Sequence, residues 1–387
     1  MLIFVLACFL TAFVISAGST ALMRVIAPKV GLIDRPAARK VHTTPTPLGG
    51  GVGIVCGFVV TMGLAHLMVW LLARDPSPPS WLPATLQPHL AGVLQRAGQM
   101  WMLIAAGVLL SVMGLLDDLR GLSWKARLGV QFLLAIGLVF GAGVKATVFV
   151  SQPWVGQTLT VLWIVVLINS FNFLDNMDAL SSGIGLIASI MFATVMLEMV
   201  SEPRWFVGGA LLALAGALAG FLCHNWPPAR IFMGDAGSTF IGLVLACLTV
   251  LGTFYDEHVG SRHVMFAPLC ILAIPLYDIC SVVLIRLSEG RSPFQPDKKH
   301  FSHRLTELGL SKRDAVLVVH LTTITTGLGA LLLYRMSDWT GAALVIALVL
   351  CLLTIVAILE TVGRSSSNGE TTQPLASAPP TPPDAGA

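Results

Sequence analysis

The sequence predicts an all-α fold, a polytopic membrane bundle of about eleven transmembrane helices, and three observations carry that prediction. Of its 387 residues, 55% are hydrophobic and only 11% charged, against roughly 25% charged in an ordinary soluble domain. The mean hydropathy is +0.83. The apolar residues also fall into runs of about 17–25, the length that crosses a hydrocarbon core. A net charge of +3, with the basic residues scattered through short loops, leaves no footprint for nucleic acid, and no such partner is expected. The seven cysteines lie in or at the ends of apolar runs and form no Cys-x-x-Cys pair, so they read as packing thiols.

Taken in order, the runs fall near 2–23, 51–72, 100–116, 128–144, 158–174, 180–199, 206–223, 237–254, 264–285, 314–334 and 341–360. The first has no basic residue ahead of it and Arg24 and Lys29 behind it. That polarity is wrong for a cleaved signal peptide and places the N-terminus outside. Alternating the loops from that start puts 17 of the 23 Lys and Arg residues inside and 6 outside, an asymmetry that a miscount of one span would destroy. Residues 75–99, rich in proline, form an outer loop that rests on the membrane through Trp81 and Leu82. The Ser/Thr/Pro/Ala-rich stretch 363–387 reads as a disordered cytoplasmic tail, leaving 1–362 as one transmembrane domain.

The polar motifs gather on the inner side of this topology. Behind the first run, Arg39, Lys40 and His42 precede Pro47 and Gly49–Gly51. The basic groups suit phosphate and the glycines suit close backbone approach, while a positive-inside anchor explains the same residues. Asp117 and Asp118 end the third run, with Lys125 in the loop beyond; paired carboxylates suit Mg²⁺, and equally a solvated helix end. Asn169, Asn172, Asp175 and Asp178 recur every third residue and form one helical stripe. Such a stripe cannot face lipid, where one Asp costs roughly 2.5–3.5 kcal/mol, so it lines a site or bonds to neighbouring helices.

Further on, Asn225 and Phe232 precede Asp235, which Gly234 and Gly237 flank at the start of the eighth run. This is either an anion-binding helix start or a simple cap. The longest basic loop ends in His300-Phe-Ser-His-Arg304, which suits phosphate; two histidines alone are a weak zinc signal, and a solvated loop explains them as well. Together, acids for Mg²⁺, basic groups for phosphate and surrounding apolar helices describe a site for a phosphorylated, partly lipidic substrate.

These five motifs, in this order over residues 24–320, resemble the polyprenyl-phosphate N-acetylhexosamine-1-phosphate transferases. That family includes the bacterial enzymes that start peptidoglycan, enterobacterial common antigen and teichoic acid linkage, and the histidine loop is closer to its N-acetylglucosamine branch. The resemblance implies a multi-pass protein of the bacterial cytoplasmic membrane with its active site facing the cytoplasm. It implies transfer of a sugar-1-phosphate from a UDP-N-acetylhexosamine to a polyprenyl phosphate, releasing UMP. It implies Mg²⁺, with Mn²⁺ as a substitute, held by Asp118 and Asp235, and a catalytic set of Asp117, Asp118, Asp175 and Asp178. Asp117 is the family's disputed candidate base. By the same resemblance Phe232 and Asn225 meet the uracil, Asn172, Asp175 and Asp178 hold the nucleotide-sugar, and His300, His303 and Arg304 meet the diphosphate or sugar. Arg39, Lys40, His42, Lys125 and Asn169 complete the expected substrate-binding set. A homodimer is a further expectation.

Two departures stand out. The family commonly reads Asp-Gly-x-Asp-Gly where this chain has Asp175-Asn-Met-Asp-Ala179, and His-x-His-His where it has His300-Phe-Ser-His303. A secondary transporter with an inner-side anion site is the alternative, with Asp278 as its buried coupling residue. It predicts polar groups near mid-membrane, whereas these gather at one face. An intramembrane aspartyl protease built on Asp235 and Asp278 has its two motifs in reversed order.

Overall fold

A computed structural model of the chain describes residues 1–34, 45–74, 87–146, 152–252, 262–292 and 300–370. Arg39, Lys40, His42 and residues 75–86 of the proline-rich outer loop therefore lie outside the described residues, as do residues 371–387 of the expected tail. The described residues are helical apart from connections and one two-residue antiparallel ladder, Ile33–Asp34 (β1) against Thr46–Pro47 (β2). The helices are α1 (Leu2–Ile26), α2 (Gly50–Arg74), α3 (Leu90–Gln95), α4 (Ala97–Arg120), α5 (Trp124–Gly141), α6 (Pro153–Leu174) and α7 (Leu180–Thr194), which closes in a π turn over Val195–Met199. Then come α8 (Trp205–Asn225), α9 (Asp235–Leu251), α10 (Ala267–Ile271), α11 (Ala273–Ser288), α12 (Phe301–Glu307), α13 (Lys312–Leu333) and α14 (Trp339–Glu370).

The protein is an all-α, multi-pass membrane protein. Among the described residues eight helices are long and apolar enough to cross a membrane, or nine if the pair bent by 66° around Leu272 is one span. That measure does not reach eleven. The runs at 128–144 and 237–254 lie on α5, with 18 residues, and α9, with 17, at the short end of the lengths that cross a hydrocarbon core. The bend has a local cause. Pro275 has no N–H to give the carbonyl of Ile271, so the ladder breaks between α10 and α11.

Helices α8 and α9 form the centre: every residue from Ala236 to Thr249 is buried. In α1 and α14 only 11% and 17% of the apolar window is buried, against 78% in α8, so these two present their side chains to lipid. Small residues bring α1 onto α8. Ser16 Oγ donates to the Ala217 carbonyl at 2.6 Å, and a Cβ on Gly216 or Gly220 would overlap the carbonyls of Phe9 and Phe13.

The start of α9 is gripped from two sides. A Cβ on Gly51 of α2 would overlap the Gly237 backbone, and one on Gly114 of α4 would overlap that of Ala236. Beside these contacts Gly50 and Gly51 donate to the carbonyls of Phe232 and Met233, each at 2.9 Å, and the Phe232 N–H donates to Pro47 at 2.9 Å. The glycine run thus serves helix approach, and it sews the segment before α9 to the start of α2.

Gly51→Ala is therefore expected to lower the thermal midpoint in detergent by the equivalent of about 1–3 kcal/mol. Gly129→Ala, where a Cβ meets open space, should shift it by less than about 0.5 kcal/mol. Equal midpoints would show that α2 and α9 do not touch through their backbones.

Candidate active site

The ends of α4 and α6 and the starts of α5 and α9 meet at one point, because four side chains tie them together. Arg127 Nη1 donates to Asp117 Oδ2 at 2.6 Å and to Asp235 Oδ2 at 2.9 Å. Asp117 Oδ1 also accepts the Leu122 N–H, which closes the α4–α5 turn. The other oxygen of Asp235 accepts from Asn172 Nδ2 at 2.8 Å, and the same amide reaches Ser238 Oγ at 3.1 Å. Asp118 faces the segment before α9. Its Oδ1 lies 3.4 Å from the Asp235 N–H, while its Oδ2 is buried with no hydrogen-bond partner among the described residues. Gly234 is essential to this approach: its φ is +73°, and a Cβ there would strike Asp118 Oδ2.

Asp175, just past the end of α6, joins the group. Burial, then the charges of Asp235, Asp118 and Asp178, push its pKa well above the usual carboxylate range, opposed by the Gly234 N–H. Four carboxyl groups (Asp117, Asp118, Asp175 and Asp235) thus gather here, and Arg127 bonds to two of them, Asp117 and Asp235. The excess negative charge and the orphaned oxygen of Asp118 fit a divalent cation. Among the described residues no three His, Cys, Asp or Glu groups form a ready metal cage.

The turn from Asp175 to Ala179 is held from two other segments. Asp178 Oδ2 accepts the Ala229 N–H at 2.9 Å. Ala179 sits in the left-handed region at φ +63°; Asn225 Oδ1 accepts its N–H at 2.8 Å and His320 Nε2 lies 3.2 Å from its carbonyl. Asn225 is 5% exposed and spends its other end on the Ile231 carbonyl at 2.9 Å, so both halves of its amide are engaged within the protein.

The histidine segment docks against the same turn. Asp278 of α11, 1% exposed, accepts from His300 Nδ1 and from the Phe301 N–H, each at 2.9 Å, and so fixes the start of α12. His300 meets the ring of Phe173 edge-on at 5.9 Å and lies 6.3 Å from the ring of His303. Arg304 is buried. Ser302 Oγ donates to Asn176 Oδ1 at 2.7 Å.

Between α4, α5, α6 and α9 opens a small cleft of about 30 Å³. Met113, Trp124 and Leu128 form its apolar wall, and Arg127, Asn172 and Asp235 its ionic one. Asn169 lines it as well, donating to Gln131 Oε1 at 2.7 Å.

Of the residues predicted from sequence, Asp117, Asp118, Asn172, Asp175 and Asp235 converge. Asn169 lies along the cleft, and Asp178 and Asn225 brace the turn. His300, His303 and Arg304 form the start of α12. Lys125 is exposed, its ammonium 5.7 Å from the Trp124 ring, and Phe232 is tied in through its backbone. Arg127 was missed as a site residue, since by sequence it is one more basic residue in a loop count. Its place in the first turn of a helix that follows Asp117-Asp118 was the available signal. Asp278 is accounted for by His300 and Phe301, and among the described residues no bond links it to Asp235. His320, alone in an apolar run, gave no signal.

Residues 100–253 match the family described as glycosyl transferase family 4. The chain is 32% identical over 343 residues to the decaprenyl-phosphate N-acetylglucosaminephosphotransferase of Mycobacterium tuberculosis, covering 83% of this chain and 80% of that one. It is 29% identical to the probable undecaprenyl-phosphate N-acetylglucosaminyl 1-phosphate transferase of Bacillus subtilis, covering 86% and 85%. It is also 29% identical to the undecaprenyl-phosphate alpha-N-acetylglucosaminyl 1-phosphate transferase of Escherichia coli, covering 80% and 79%.

The left-handed conformation at residue 179 can be checked directly. An L-residue there costs roughly 1–2 kcal/mol relative to glycine, so Ala179→Gly should raise the thermal midpoint and Ala179→Val should lower it. A glycine variant that melts below wild type would contradict the φ assigned to this turn.

Proposed function

Because the chain belongs to the polyprenyl-phosphate N-acetylhexosamine-1-phosphate transferases of glycosyl transferase family 4, we propose that it transfers N-acetylglucosamine-1-phosphate from UDP-N-acetylglucosamine to a polyprenyl phosphate. The observation that carries this reading is the site itself, where Arg127 pairs with Asp117 and Asp235 beside Asp118, at a cleft whose lining mixes Arg127, Asn172 and Asp235 with Met113, Trp124 and Leu128. An amphiphilic acceptor, a phosphate on a prenyl chain, matches such a cleft. The Lys and Arg distribution supports a site on the cytoplasmic side of a bacterial inner membrane, where this would be the first membrane step of a cell-envelope glycan.

An oxygen of the polyprenyl phosphate attacks the phosphorus next to the sugar, and the bond from that phosphorus to the oxygen of the uridine-bearing phosphate breaks. UMP leaves with the electron pair, and a lipid-linked diphosphate sugar remains. Mg²⁺, held by Asp118 and Asp235, would supply charge neutralisation at the diphosphate. Arg127 keeps Asp235 and Asp117 in place and adds fixed positive charge beside the reacting phosphates. The attacking phosphate is already ionised near neutral pH, so no general base is required. Asp117, ion-paired to Arg127, acts in this reading by orienting that guanidinium rather than by taking a proton. Asn172, Asp175 and Asp178 lie towards the nucleotide-sugar, and Asn225 and Phe232 shape the uracil side. His303 and Arg304 meet the diphosphate or sugar.

Membranes containing the protein, given radiolabelled UDP-N-acetylglucosamine, Mg²⁺ and undecaprenyl phosphate, should yield labelled lipid and UMP. Asp118→Asn and Asp235→Asn should each reduce that yield by about a hundredfold or more while the protein stays folded. No product with any UDP-N-acetylhexosamine from folded wild-type protein would overturn the reaction.

A further inference from the structure

Helix α12 has seven residues, too short to hold itself in place, so its packing against α13 and α14 and the polar contacts at its start decide where His303 and Arg304 stand. One anchor is Asp278. The second joins residues 126 positions apart, where Ser302 Oγ donates to Asn176 Oδ1 at 2.7 Å. The orientation of Asn176 is itself fixed, because its Nδ2 donates to the Phe173 carbonyl at 2.8 Å, at the end of α6. Its oxygen is thereby turned to Ser302. The hydroxyl is sheltered, with Ser302 2% exposed, and a hydrogen bond made away from water is costly to leave unmade. The Phe173 ring completes the junction, with His300 edge-on at 5.9 Å and the Arg286 guanidinium 5.2 Å from its centroid.

Asn176 and Ser302 also occupy the two sequence segments that carry the departures from the resembled pattern, and in space they are each other's partners. We propose that Asn176 and Ser302 are a positioning pair, a latch that holds α12 against the Asp175–Ala179 turn and thereby sets the affinity for the nucleotide-sugar. The inference rests on the transfer reaction proposed above, in which these two segments together bind the donor. Without the latch α12 keeps its Asp278 anchor and pivots, so the donor site loosens while the cleft at Arg127 is undisturbed.

The test is a double-mutant cycle in the full-length protein, with KM for UDP-N-acetylglucosamine, KM for undecaprenyl phosphate and kcat measured separately. Ser302→Ala and Asn176→Ala should each raise the donor KM about five- to tenfold, leave the lipid KM unchanged, and combine with no further loss. Ser302→Thr, which keeps the hydroxyl, should restore a donor KM near wild type. An unchanged donor KM, multiplying effects in the double variant, or loss of folded protein with normal KM would overturn the latch. A wild-type protein that binds UDP-N-acetylglucosamine without turnover would sink the reaction instead. The same variants would then be read by calorimetric affinity for that nucleotide-sugar, with the same pattern expected and the same patterns contradicting it.

Discussion

One guanidinium organises the ionic end of this molecule. Arg127 reaches Asp117 at the end of α4 and Asp235 at the start of α9, so three helices converge on one charge. The convergence needs backbones in contact: Gly114 lets α4 lie against the start of α9, Gly51 lets α2 do so from another side, and Gly234 makes room for Asp118. Carboxylates held this close repel one another, and one positive charge does not balance them. A cation, and phosphates that bring one with them, would offset that charge, which is the electrostatic core of the proposed transfer chemistry.

The second half of the site is built by a different means. The Asp175–Ala179 turn is held from two other segments, by Asn225 and the Ala229 N–H at and after the end of α8 and by His320 of α13. Those bonds hold Ala179 in a backbone conformation that favours glycine. The same turn receives α12 through Ser302, so Asp175, Asp178 and the basic groups of α12 share one support. The rigid cluster at Arg127 and the braced turn are linked through Asn172, which sits on α6 above the turn and bonds to Asp235.

Much of the fold was legible in the sequence because a bilayer admits few solutions, and a run of apolar residues is close to a statement of helix. The span count was less so. Hydropathy counts eleven runs where helix length and composition give eight or nine spans among the described residues, and it does not show that α9 is buried on all sides by packing around Gly51 and Gly114. In the site, the acids were legible because carboxylates are rare in such a chain. Arg127 was not, since a basic residue in a loop has an ordinary explanation in membrane topology. Asn176, Ser302 and His320 were illegible as partners because their contacts cross more than a hundred residues of chain. A lone polar residue carries no record of what it will meet.

The central claim is that Asp118 and Asp235 form a cation site that Arg127 assembles. Titrating Mn²⁺ into the purified protein with UDP present, and following bound and free metal by electron paramagnetic resonance, tests it most directly. Wild type should bind Mn²⁺, Asp118→Asn and Asp235→Asn should each weaken binding at least tenfold, and excess Mg²⁺ should displace the metal. Unchanged affinity in both variants would contradict the account.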